Sequence, residues 1–142
     1  MRVFLDTNVA LDTLLPGRPS HKESTELINL GSNANIRFRI TSLSIADMAY
    51  CSLKYVAKED LIERFKLFYR EWKIISLGAM DIAFAMESKC PDFEDALQIS
   101  AAEMESDVIV TNNKKHFEPY TALPVYSPKE FMDKLREAAG AE

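Results

Sequence analysis

Val3-Phe4-Leu5-Asp6-Thr7-Asn8 opens the chain with an apolar run that breaks directly into a carboxylate, a hydroxyl and an amide. Val108-Ile109-Val110-Thr111-Asn112-Asn113 repeats the pattern, and its β-branched run is typical of a strand buried on both faces. Around these two stretches the periodicity alternates. A helix ending over 11–15 stops at Pro16-Gly17, and a second runs over 20–30 from Ser20 and closes at Gly31-Ser32-Asn33. A strand over 36–40 precedes a helix over 42–56 capped by Ser42; a helix over 58–71 and a strand over 73–77 follow. Further helices are predicted over 80–89 and from Asp92, the latter with an apolar stripe of Phe93, Ala96, Leu97, Ala101 and Met104. Pro124-Val125 adds a short strand, and Pro128 opens a last helix over 129–138. Strands alternating with helices predict an α/β fold, a three-layer α/β/α sandwich around a mostly parallel sheet of four or five strands. Ligands of such sheets bind at the carboxyl ends of the strands.

The 142 residues, 47% hydrophobic and 27% charged, predict one globular domain over 1–142 and exclude a disordered or fibrous chain. Lys and Arg number 17 against 22 Asp and Glu, so the net charge is 17 − 22 = −5. That argues against gripping nucleic acid by bulk positive charge. It leaves nucleic acid open as a substrate, because bound cations replace basic residues locally. Asp6 and Asp12 interrupt the N-terminus, so a signal peptide is not expected, and no uncharged stretch approaches the roughly 20 residues of a membrane span. Cys51 and Cys90 lack CxxC spacing and read as two buried thiols rather than a disulfide or zinc site. These features predict a cytoplasmic protein with no membrane partner.

The candidate chemistry lies after the strands. Asp6 reads either as a helix N-cap or as a carboxylate holding a divalent cation at the sheet edge. Asp47 lies in a helix apolar on nearly every face, where an ionised carboxylate is costly unless paired or coordinating; a partly exposed helix position is the alternative. Lys54 lies too far along that helix to face it. Asp92-Phe93-Glu94-Asp95 suits a helix start, with Asp92 as cap and the acids favouring the dipole. Three carboxylates within four residues also repel one another unless a cation sits among them, and Asp95 is placed to reach inward while Glu94 points to water. Thr111-Asn112-Asn113-Lys114-Lys115-His116 reads as a phosphate-contacting rim or as a turn; His116 alone reads as structural or solvated. Carboxylates without histidine or thiolate partners suit Mg²⁺ or Mn²⁺, not zinc.

Four segments, in order, resemble the PIN domain, the fold of VapC-type ribonuclease toxins. They are Val3-Phe4-Leu5-Asp6-Thr7-Asn8, Thr41-Ser42 with the helix carrying Asp47, Asp92-Phe93-Glu94-Asp95-Ala96, and Val108 to Phe117. The resemblance spans residues 3 to about 131. Two positions depart from it. The second acid of such toxins is usually Glu, here Asp47, and where the family shows a fourth acid this chain has Asn113 and His116. An amide coordinates Mg²⁺ without bringing charge, and Asp92 is one helical turn from Asp95.

The resemblance implies metal-dependent hydrolysis of RNA phosphodiesters. Asp6, Asp47 and Asp95 would be catalytic, with Asp6, Asp95, Asp47 and Asp92 around Mg²⁺ or Mn²⁺. Asn8, Thr111, Asn113, Lys114 and His116 would stand around the metal or against substrate, and Arg18, Arg37, Arg39 and Lys115 would meet flanking phosphates. It also implies a small antitoxin over the acidic cleft and a homodimer. The absent fourth acid supports a second reading, a catalytically impaired PIN-like module that binds RNA or protein. A haloacid dehalogenase type would need an acid at Asn8, and a receiver domain an acceptor Asp where Thr41-Ser42-Leu43 follows the strand.

Overall fold

The computed structural model describes residues 1–140. Strand β1 (Val3–Leu5) leads through α1 (Thr7–Leu14) and α2 (His21–Asn33) to β2 (Phe38–Thr41). Helices α3 (Ser42–Ser52) and α4 (Lys58–Glu71) connect to β3 (Lys73–Ile75), and α5 (Ala79–Glu87) and α6 (Phe93–Glu105) lead to β4 (Val108–Val110). A short α7 (Lys114–Phe117) and one 3₁₀ turn (Glu118–Tyr120) precede β5 (Val125–Tyr126) and α8 (Pro128–Gly140). The sheet order is β3-β2-β1-β4-β5 and every pairing is parallel. The predicted α/β sandwich is correct, with five parallel strands among the described residues. Among the described residues no helix is long and apolar enough to cross a membrane.

Alternate strand residues face opposite layers. Val3, Leu5, Phe38, Ile40, Val108 and Val110 pack with Val9 and Leu11 of α1, Leu27 of α2, Met48 of α3, Phe68 of α4 and Phe131 of α8. Phe4, Ile75, Ile109 and Val125 pack beneath Ala85 of α5, Ala96 and Ile99 of α6, and Phe117 of α7. Burial on both faces is why the strands read as continuous apolar runs rather than alternating ones. The chain lays β1, β2 and β3 outward on one side, then places β4 on the other side of β1. The order therefore reverses between β1 and β4, where a crevice opens at the carboxyl ends.

Several expected boundaries move. Helix α2 does not close at Gly31 but runs to Asn33, with Asn35 at φ 59° turning the chain out. Gly31 is an interior residue because the Phe38 ring takes the place of its side chain: an added Cβ would lie 2.3 Å from Phe38 Cζ. Helix α3 ends at Ser52 rather than 56, and its cap is Thr41, whose hydroxyl accepts from Ser44 N at 3.0 Å. Expected to be buried all round, α3 exposes Ala46 and Tyr50. The stripe expected on α6 is also split. Ala96 and Ala101 are buried as read, whereas Phe93 and Met104 are 49% and 69% exposed, and Ile99 and Ala102 complete the sheet-facing side. Cys90 is buried, Cys51 only half so, and both are free thiols.

Phe38 cannot withdraw from Gly31, because its ring meets Trp72 edge-on at 6.1 Å and Trp72 stacks on Phe68 at 4.1 Å. Gly31→Ala should lower stability by about 1 kcal/mol, the overpacking cost of roughly 1–3 kcal/mol exceeding the ~1 kcal/mol Ala gains in a helix. Denaturant midpoints check this: in a Phe38→Leu background the same substitution should be neutral or stabilising.

Candidate functional site

The parallel register Leu5↔Val110 brings the residues after β1 and β4 side by side. Asp6 N donates to Val110 O at 3.0 Å, which fixes the backbone of the first acid against β4. The Asp6 carboxylate accepts from Thr7 N at 2.8 Å through one oxygen and from Thr111 Oγ1 at 2.9 Å through the other. Thr111 Oγ1 accepts in turn from Asn113 N at 3.0 Å. Asp6 therefore caps α1, as read, and it also lines a cleft of about 370 Å³ at the sheet edge. Asp47, Asp92, Glu94 and Asp95 line the same cleft, with Asn8, Asn113 and His116 around them.

Three elements carry these acids, and one amide joins them. Gln98 on α6 is 2% exposed. Its Nε2 donates to Thr7 Oγ1 at 3.1 Å and to Ser44 Oγ at 3.0 Å, while its Oε1 accepts from Thr41 Oγ1 at 3.0 Å. Thr7 Oγ1 and Ser44 Oγ lie 2.7 Å apart. The network ties α1 beside Asp6, the β2–α3 junction before Asp47, and α6 one turn after Asp95. Sequence reading passed over Gln98. Its signal was a lone amide among Ala and Ile, three residues after an acid and so on the same helix face.

No Lys or Arg among the described residues forms an ion pair with these acids. Asp6, 6% exposed, is pushed up from its ordinary value to about 6, chiefly by burial and further by Asp95, against the hydrogen bond from Thr111. Asp95 is raised by burial and by Asp92, with His116 opposing; His116 Nδ1 stands 3.5 Å from Asp95 Oδ2. Glu94 is exposed, as read, yet it lines the cleft. Its neighbour Asp47, first through their side-chain hydrogen bond, then burial and the surrounding carboxylates raise it to about 7. Asp47, expected to be buried, is half-exposed on the cleft wall. Asp92 caps α6, its Oδ1 accepting from Asp95 N at 2.9 Å.

The expected cationic rim is largely committed elsewhere. Lys114 pairs with Glu130 at 3.2 Å and Glu118 at 3.6 Å rather than facing the cleft. Arg18 pairs with the buried Asp12, which also accepts from Asn112 Nδ2 at 2.9 Å. Arg37 donates to Trp72 O from the opposite edge of the sheet, and Arg39 buries an unpartnered Nε. Lys115 lines a second hollow with Asp92, Asp95 and His116.

The family model of the PIN domain matches residues 2–115. The chain belongs to the PIN domain family. It is similar to ribonuclease VapC1 of Aquifex aeolicus (strain VF5), at 27% identity over 139 residues and 94% of both chains. Its fold is also similar to VapBC2 from Rickettsia felis bound to a promoter DNA fragment, at TM-score 0.64 and 24% identity over 88% of this chain and 97% of that one. DNA-bound VapBC from Salmonella typhimurium matches at TM-score 0.67 and 19% identity over 90% and 98%.

A divalent cation suits this PIN domain by donor type: every acid of the cleft offers oxygen, and their crowding is what a cation relieves. Among the described residues no three His, Cys, Asp or Glu side chains already stand as a ready coordination shell. Binding would therefore draw the carboxylates together.

The raised value of Asp6 has a consequence for stability. Because the folded-state value exceeds the ordinary 3.8, the native protein keeps a proton the unfolded chain has released. The resulting stability is complete below about pH 3.8 and lost as pH rises through 6. In cation-free buffer, Asp6→Asn should raise stability at pH 7.5 by about 2 kcal/mol, with the gain vanishing below pH 4; urea titrations across pH measure it. Gln98→Leu leaves buried hydroxyls short of partners and should cost about 1–3 kcal/mol by the same titrations.

Proposed function

We propose that this PIN domain is a metal-dependent endoribonuclease and the toxin of a type II toxin–antitoxin pair. The observation that carries the reading is the gathering of Asp6, Asp47, Glu94 and Asp95 in one cleft at the switch point of the sheet, with Asp6, Glu94 and Asp95 raised above their ordinary values. Asp6 and Asp95 would hold Mg²⁺ or Mn²⁺, with Asp47 beside them and Asp92 within reach on the α6 cap. When bound, the cation supplies Lewis-acid polarisation and charge neutralisation at a phosphodiester. Thr111 and Thr7 orient the Asp6 carboxylate through its two hydrogen bonds, and His116 orients Asp95. Asn8 and Asn113 offer amides to substrate or to the metal's outer waters.

The Aquifex relative is named a ribonuclease, and the Rickettsia and Salmonella structures hold toxin–antitoxin pairs on DNA. For this chain we read the same partner class, a small antitoxin whose basic side chain enters the acidic cleft. A second copy of the chain fits the outer side of α5 and α6, where Met80, Met86, Phe93 and Met104 leave an apolar face in water. Asn113 and His116 in place of a fourth acid favour one further reading, an impaired module that binds RNA without cutting it.

A calorimetric Mn²⁺ titration and an RNA cleavage assay separate the readings. The enzyme predicts saturable Mn²⁺ binding and metal-dependent cleavage, both lost in Asp6→Asn, with Asn113→Asp tightening metal. Absence of both binding and cleavage at millimolar Mn²⁺ would overturn it. Binding of RNA without cleavage would leave the impaired module.

A further inference from the structure

Resting on the ribonuclease reading, we propose that single-stranded RNA crosses the acid cleft on two aromatic–lysine pairs, Tyr50 with Lys54 on one side and Tyr120 with Lys115 on the other. The argument begins with the cations. An RNA strand brings phosphates toward at least four carboxylates, so its flanking phosphates need positive charge outside the metal position. Arg18, Arg37 and Lys114 are bonded to Asp12, Trp72 O, and Glu118 with Glu130 respectively. Lys54 and Lys115 have no ion-pair partner among the described residues.

Lys54 stands over the ring of Tyr50, which lines the cleft, and Lys115 and Tyr120 line a neighbouring hollow. Tyr50 lines the cleft from α3, one turn beyond Asp47, and is 74% exposed. Lys54 Nζ lies 5.2 Å from the centre of the Tyr50 ring. A ring held by a rigid helix, open to water and already carrying a cation, has the makings of a platform for a stacked base with its phosphate beside it. On the far side of the acids a second hollow of about 360 Å³ is walled by Pro91, Cys90 and Tyr120, with Lys115 at its edge. It shares Asp92, Asp95 and His116 with the cleft, so the two spaces are continuous. Its apolar walls suit a flat base better than a phosphate. A strand threaded through both would set one base on each side of the acids and its linking phosphate over them. A duplex keeps its bases stacked inside and offers neither ring a face, so the two rings discriminate between unpaired and paired bases.

Fluorescence anisotropy with a 5′-labelled RNA 12-mer, single-stranded or annealed to its complement, tests this with Ca²⁺ replacing Mn²⁺ to slow turnover. The single strand should bind at least tenfold more tightly than the duplex. Tyr50→Ala should weaken single-strand binding roughly 5- to 150-fold, and Tyr50→Trp should restore it. Lys54→Gln and Lys115→Gln should each lower the salt slope by about 0.7. In Mn²⁺ cleavage assays Tyr50→Ala should raise KM and leave kcat within a few-fold. Cleavage by the wild type with Tyr50→Ala and Lys54→Gln unchanged, or equal affinity for duplex, overturns the two-platform track and leaves the ribonuclease reading standing. Absence of both RNA binding and cleavage in the wild type overturns both.

Discussion

The buried amide of Gln98 is the point on which the site depends. Its three hydrogen bonds reach Thr7, Thr41 and Ser44, which open α1, end β2 and begin α3. Of these, α1 begins beside Asp6 and α3 carries Asp47, while α6 itself carries Glu94 and Asp95. A polar group this buried is tolerated only when its partners are satisfied, and here every partner is also a cap or neighbour of a cap. Displacing any one of the helices breaks bonds in the other two. The carboxylates can therefore be crowded without the helix ends spreading apart under their repulsion.

That repulsion is the second constraint. Asp6 is buried beside Asp95, Asp92 stands near both Asp95 and Glu94, and Glu94 retains its proton to about 7 through the Asp47 side chain. Such an arrangement is unfavourable for the empty protein and favourable for one holding a cation, the usual sign that charge was gathered for binding rather than for folding. It also gives the net charge of −5 a location. Part of the excess is concentrated in this one cleft, and under the proposed nuclease function the approach of a phosphate would depend on what the acids hold.

Much of the fold was legible from local pattern. Continuous apolar runs at Val3–Leu5 and Val108–Val110 mark strands covered on both faces, and both stand as read. The misreadings arise where side-chain packing overrides the local pattern. Gly31 resembles a helix terminator until the Phe38 ring is found in its Cβ position. Phe93 and Met104 continue an apolar helical stripe, yet the sheet is covered by Ala96, Ile99 and Ala102 instead, leaving a second apolar face outward. Lys114 looked like part of a phosphate rim because neither Glu118 one turn on nor Glu130 sixteen residues on is an evident partner before the chain folds back.

The sequence by itself determined the alternation of strands and helices, the donor chemistry of the site and the order of its acids, because these follow from residue type and near-neighbour spacing. Asp6, Asp47, Asp92 and Asp95 were all identifiable in that way. Only the tertiary structure decided which of them meet, that Glu94 joins them through Asp47, that Gln98 holds their helices together, and which lysines remain unpaired beside an aromatic ring. Those outcomes depend on parallel register and on packing between segments scores of residues apart. No local spacing encodes such distances.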